Sequence, residues 1–324
     1  MWSLLAKIQK NLTTAIPILM VLGVITGAMF DVSVLKNLIV PLTLLMVYPM
    51  MVNLKFQELY KVNGFKVQLS ALGINFVLIP MIAVVLNWLF LKDMPYAALG
   101  LLLASLVPTS GMTISWTGFA QGNLSAAIKM TVIGLIIGSL LTPIYANVIL
   151  GQSISIPMGK VFKSIIFVVF VPMLLGFITK KWLVSRHGIE YYQKNLAKKF
   201  PPISTLGVLG IVFVAMALNA KSILADPTSL IQYLVPLILL YLINFVISTV
   251  IGKLVFDRGN AIALVYGTVM RNLSIALAIA MTAFGEEGAQ IAIIIALAYI
   301  IQVQAAAWYV KYTDTIFGAY KQQD

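Results

Sequence analysis

The sequence predicts an all-α polytopic membrane protein of ten transmembrane helices in two inverted five-helix repeats, with helices 4 and 9 broken. Composition, charge order and internal repetition carry that prediction. Of 324 residues, 61% are hydrophobic and 10% charged, with a mean hydropathy of +1.00. Soluble domains carry about 25% charged residues, and one water-soluble core of this size cannot absorb the apolar excess. The net charge of +12 sits between apolar runs, not on a solvated face, which excludes nucleic acid as a partner. Cysteine is absent, which removes disulfides, thiolate metal sites and cysteine nucleophiles. The single histidine, His187, lies in the basic loop SRHGIE and is expected to be solvent-exposed, not a ligand. No metal and no cofactor are therefore expected.

A helical span needs about 20 mostly apolar residues. Such runs fall in order at 12–30, 34–53, 67–90, 95–120, 124–148, 158–179, 202–220, 230–254, 259–284 and 287–310. The start MWSLLAKIQK lacks the pattern of a cleaved secretory signal, so the N-terminus is expected to be retained. Alternate assignment of loop charges tests the count, because cytoplasmic loops are rich in Lys and Arg. One side collects 15 basic residues, among them Lys7, Lys10, Lys55, Lys61, Lys180, Lys181, Lys198, Lys199 and Lys321. The other collects 5, namely Lys36, Lys92, Lys160, Lys163 and Lys221. The asymmetry implies ten spans with both termini cytoplasmic; short loops and the absence of long tails suggest a prokaryotic inner (plasma) membrane.

Repeated strings set the architecture. Leu22-Gly23-Val24-Ile25-Thr26 recurs as Leu175-Gly176-Phe177-Ile178-Thr179, and M-x-x-N-x-K at Met50–Lys55 recurs at Met216–Lys221. Ile74-Asn75-Phe76-Val77 recurs as Ile243-Asn244-Phe245-Val246. The three matches keep their order at offsets of 153, 166 and 169 residues. An odd number of spans per repeat places the halves in opposite orientations, the plan of many secondary transporters. Residues 1–148 form the first repeat, 149–157 a linker and 158–324 the second repeat.

Spans 4 and 9 are interrupted. Span 4 carries Pro108-Thr109-Ser110-Gly111 at its centre, where proline removes a backbone hydrogen bond and glycine weakens the helix. Irregular backbone at membrane depth survives only where it is buried in protein or lines a wet cavity. Thr109, Ser110 and Thr113 supply polar groups for such a cavity. Span 9 runs through Gly267-Thr268 into Arg271-Asn272. Arg271 is 12 to 13 residues from either end, too deep to snorkel comfortably. Lys129, in span 5, is the second candidate charge, near enough to its end to snorkel. Asn53, Asn75, Asn219, Asn244, Gln302 and Gln304 either line the cavity or bond neighbouring helices. No Asp or Glu falls clearly inside a span. Fixed cations without fixed anions, beside half-helix N-termini near Gly111 and Leu273, favour an anionic substrate.

At spans 4, 5 and 9 the chain resembles the superfamily that joins bile acid:sodium symporters with arsenite permeases. Gly122-Asn123 followed by Leu140-Leu141-Thr142-Pro143 is similar to the symporter pattern G-N then L-L-T-P, and Met270-Arg271-Asn272 to M-Q-N. Pro108 with Met112 and Trp116 is similar to the permease pattern P-C-x-x-M-x-x-x-W. The resemblance implies the inverted five-span repeats and a site where the broken spans cross. Departures concern sodium: a symporter glutamate corresponds to Gly267, the M-Q-N glutamine to Arg271, a Ser-Asn pair to Thr113-Ile114 and a ligating serine to Ala127. The ligating threonine is kept as Thr131. The permease cysteine corresponds to Thr109, and a hydroxyl does not replace a thiolate for a soft metalloid.

The sequence thus points to a secondary transporter of a small organic anion, working by alternating access within the lipid bilayer. Thr109, Ser110 and Thr113 are expected to face the substrate, and Arg271 with Asn272 to hold its negative group. Lys129, Thr131 and Arg271 form the expected coupling or charge site, with a proton or sodium as the coupling ion. The alternatives are an arsenite or oxyanion efflux permease and a membrane-embedded enzyme using Ser125 and Lys129 at i, i+4.

Overall fold

The computed structural model describes residues 11–54, 64–151 and 156–319. Residues 152–155 of the expected linker lie outside the described residues, as do Lys7, Lys10, Lys55, Lys61 and Lys321. Every regular element among the described residues is helical. In chain order they are α1 (Leu12–Met29), α2 (Ser33–Val52), α3 (Phe65–Phe90), α4 (Pro95–Leu106), α5 (Gly111–Phe119) and α6 (Leu124–Leu150). There follow α7 (Met158–His187), α8 (Phe200–Leu218), α9 (Thr228–Val255), α10 (Arg258–Val269), α11 (Leu273–Ala283) and α12 (Glu287–Tyr309). Short helical pieces lead into α8 and follow α8 and α12.

Among the described residues, 7 helical segments are long and apolar enough to cross a membrane. They are α2, α3, α6, α7, Ile189–Leu218 ending in α8, Leu230–Val255 within α9, and Glu287–Phe317 containing α12. The remaining helices are shorter: α1, and α4, α5, α10 and α11, which fall within the two interrupted runs. Large apolar side chains cover the outward faces: Val21, Trp88, Leu174 and Leu242 are each more than half exposed. That surface suits lipid and no other solvent. By contrast, α10 and α11 are buried almost along their whole length and form the centre of the molecule.

Small residues let the helices approach. A Cβ on Gly27 would stand 2.0 Å from the Ala217 carbonyl oxygen, so α1 lies backbone to backbone on α8. Gly207 brings α8 equally close to α2, where its Cβ would stand 2.4 Å from the Met46 nitrogen. Gly176 does the same for α7 against Met51 and Val52 of α2. In hydrocarbon, where apolar burial gives no drive between helices, such close packing holds them together. One panel therefore consists of α1, α2, α7 and α8. The second body joins α4 and α11 to α12, α10 to α6 and α9, and α3 to α4.

Within α3, Pro80 lacks the N–H that would bond the Phe76 carbonyl, and a π-turn, Ile74–Leu78, precedes it. The Tyr145 hydroxyl of α6 donates to that freed carbonyl. The widened turn displays Asn75 toward the centre.

Candidate functional site

The two interruptions meet. Between α4 and α5, and between α10 and α11, the chain leaves the helix, and Pro108 faces Arg271 in a short antiparallel pairing. Thr109 N–H donates to the Met270 carbonyl at 2.7 Å and Asn272 N–H to the Val107 carbonyl at 2.8 Å. Each break thus satisfies the backbone groups that the other leaves open, the condition for irregular chain at membrane depth. Pro108 fits because the pairing asks no N–H of it. A flat seat on α6 receives it: a Cβ at Gly134 would lie 2.7 Å from Thr109 Oγ1, and one at Gly138 2.8 Å from Pro108 Cδ.

The breaks present two helix N-termini. Ser110 caps α5 by accepting from Met112 N–H at 3.2 Å, while Thr113 Oγ1 accepts from Ser110 N–H at 3.1 Å, a reciprocal capping box. Asn272 caps α11 by accepting from Ile275 N–H at 3.3 Å. Short polar side chains at these positions follow from the helix starts themselves.

Arg271 lies between the two N-termini and is 2% exposed. Its Nη1 donates to Asn75 Oδ1 at 2.9 Å, and Asn75 Nδ2 donates to the Gly267 carbonyl at 3.0 Å. Its backbone N–H donates to Gln302 Oε1 at 2.7 Å, and Tyr241 donates to the same oxygen at 3.0 Å. Nη2 is buried with no hydrogen-bond partner. The end of α10 is held from the other side, where Asn244 Nδ2 donates to the Thr268 carbonyl at 2.8 Å. The repeated asparagines Asn75 and Asn244 therefore fasten the same helix end.

A cavity of about 290 Å³ opens beside the crossing. Its polar end is formed by Ser110, Thr131, Arg271, Asn272 and Gln302, and its walls by residues such as Met50, Met112, Leu135 and Val208. It extends to Asn53 and Leu54 at the end of α2 and to Pro201 at the start of α8.

Of the residues expected at the site, Ser110, Thr131, Arg271 and Asn272 come together on this cavity. Thr109 and Thr113 are not among its lining residues, contrary to expectation: both are fully buried. Thr109 takes a left-handed backbone, φ 63°, which aims its hydroxyl at the carbonyls of Pro108, Met130 and Thr131. Thr113 is spent on the cap. Lys129 is 4% exposed and also off the cavity lining. Sequence reasoning missed Ser274 and Tyr299, which line the cavity and are hydrogen-bonded to each other. A serine two residues past the cap was a weak signal; Tyr299 gave none. Among the described residues no group of His, Cys, Asp or Glu is placed to hold a metal ion.

Interrupted membrane helices that meet over a cavity are one construction of secondary transporters, and the comparisons relate the chain to membrane transporters. The chain belongs to the sodium bile acid symporter family, whose profile matches residues 40–226. It is 24% identical over 200 residues to arsenical-resistance protein Acr3 of Alkaliphilus metalliredigens, a match covering 60% of this chain and 56% of that protein. With Acr3 of Corynebacterium glutamicum the identity is 22%, covering 76% of this chain and 70% of the relative. Rat sodium/bile acid cotransporter 7 is 23% identical, covering 53% and 50%. A family of transporters removes the reading of Ser125 and Lys129 as an enzyme's catalytic pair.

Proposed function

We propose that the protein is a secondary transporter of a small organic anion across the plasma membrane, without the family's usual two-sodium site. The observation that carries this reading is Arg271: a buried guanidinium with one unoccupied nitrogen, lining the cavity between two helix N-termini. A carboxylate or sulfonate there accepts from Nη2 and from the cap region of α5 and α11, with charge-assisted bonds in a low-dielectric site. Ser110 and Asn272 complete the polar end. Sodium has little to bind: Gly267 offers no oxygen but its carbonyl, which Asn75 already holds. A side chain at 267 would meet Met130, whose sulfur lies 2.2 Å from an ideal Cβ. Lys129 and Thr131 on α6 are the remaining positions for coupling, with a proton as the coupling ion if one is used.

Alternating access follows from the ten-span reading, in which α4 with α5, and α10 with α11, are single interrupted spans. Packing supports two related halves of residues 1–148 and 158–324: α4 lies on α12 as α10 lies on α6, and α1 lies on α8 as α7 lies on α2. Both termini are assigned to the cytoplasm.

The second reading is arsenite or oxyanion efflux, favoured by similarity to the Acr3 proteins. Melting of the purified protein against organic anions and arsenite, in sodium and in potassium buffer, separates the two. A ligand at 100 times its Kd stabilises by about 2.7 kcal/mol. We expect an organic anion to raise Tm equally in both buffers and the rise to vanish in Arg271→Gln. A response to arsenite alone establishes the second reading; a sodium requirement overturns the first.

A further inference from the structure

The charge in the empty site cannot leave it. Arginine stays protonated in proteins, and no acidic residue lines the cavity among the described residues. The described acids, Asp31, Asp93, Glu190, Asp226, Asp257, Glu286, Glu287 and Asp314, lie in loops or at helix ends. Nη1 is already used by Asn75 and Nη2 has no partner. A carrier that alternates must close its cavity on one side before opening it on the other. Closing the empty cavity removes the cavity water whose dielectric screens this buried, unpaired cation, which is costly in a medium of low dielectric. Closing it on a bound monoanion encloses a neutral, hydrogen-bonded pair.

We infer that the protein is an anion exchanger: a loaded site crosses readily, an empty one slowly, so an anion moving one way is tied to an anion moving the other. In a carrier that releases sodium with its substrate, the empty site loses its cations and returns uncharged. Here the cation is part of the chain. The inference rests on the reading of Arg271 as the anion's partner.

Hexanesulfonate is a suitable probe: a permanently charged monoanion, with an apolar tail for the methionine and aliphatic walls. The full chain is reconstituted in liposomes loaded with labelled hexanesulfonate and diluted into low-salt medium with or without the unlabelled probe. Efflux is expected to be at least tenfold faster toward outside probe, equivalent to about 1.4 kcal/mol on the barrier. In Arg271→Gln, at probe concentrations raised to refill the weakened site, the ratio is expected to fall to about one. Equal efflux from the native protein under both conditions overturns exchange while leaving the anion site intact. A tenfold ratio that persists in Arg271→Gln places the slow step elsewhere and overturns the role given to the arginine. Failure of hexanesulfonate and other monoanions to raise Tm overturns the anion site itself.

Discussion

Asn75 holds two groups that would otherwise be buried unpaired, Arg271 Nη1 and the Gly267 carbonyl. An unsatisfied buried polar group costs about 1–3 kcal/mol, more when charged. Asn75→Ala should therefore destabilise the protein by about 2–4 kcal/mol, read as a fall in Tm. It should also weaken anion binding, because the guanidinium loses its fixed direction. Asn75→Asp keeps an acceptor for Nη1 but adds a negative charge beside the cation, and should abolish binding of a monoanion in the same melting assay. Binding unchanged in Asn75→Asp would show that Arg271 does not hold the anion.

At the scale of elements, the crossing depends on α6 having no side chains beneath it. Gly134 and Gly138 repeat at i, i+4, and a Cβ at either would enter the space of Thr109 or Pro108. Gly138→Ala is expected to displace the break by a few tenths of an ångström; Gly138→Leu should destroy it, a loss of about 1–3 kcal/mol or more from overpacking. Reduced Tm with no anion response in Gly138→Leu checks this. Gly73, where a Cβ would meet nothing within 4 Å, is the control that should tolerate alanine.

For the whole molecule, the cavity reaches the end of α2 at Asn53, while the start of α2 is tied to the second body. Lys36 Nζ lies 2.7 Å from Glu286 Oε1, between α11 and α12. Lys36 and Asn53 are about 25 Å apart along the helix. The ion pair thus bridges panel and core on the face opposite the cavity's reach. Both partners are exposed, so the pair contributes little to stability. Hydrogen bonding to Lys36 holds the Glu286 carboxyl below its usual range. Its contribution is complete above the ordinary glutamate pKa and is lost as pH falls through the depressed value. Because the chain has no cysteine, Lys36→Cys with Glu286→Cys offers two thiols for a bis-methanethiosulfonate reagent long enough to replace the lysine and glutamate side chains across this junction. Cross-linking should stop flux and leave anion stabilisation of Tm intact, and a reductant, which cleaves both mixed disulfides, should restore flux. Flux that continues in the cross-linked protein would show that this junction need not open.

Apolar length, proline and glycine act through local backbone chemistry, so the membrane class, the helical runs and the two interruptions were legible along the chain alone. Arg271 was legible too, since a charge so far from either end of an apolar run is expensive to keep without a use. Ser110 and Asn272 stood out as short polar residues at helix starts. Which of those polar residues share a cavity was settled by the packing in three dimensions. Thr109 and Thr113 lie in the same break as Ser110, yet one backbone angle and one capping bond turn their hydroxyls away. Asn75, Gln302, Ser274 and Tyr299 reach the site from α3, α12 and α11. Their placement depends on how helices pack across gaps of many residues, and spacing along the chain carries no record of that.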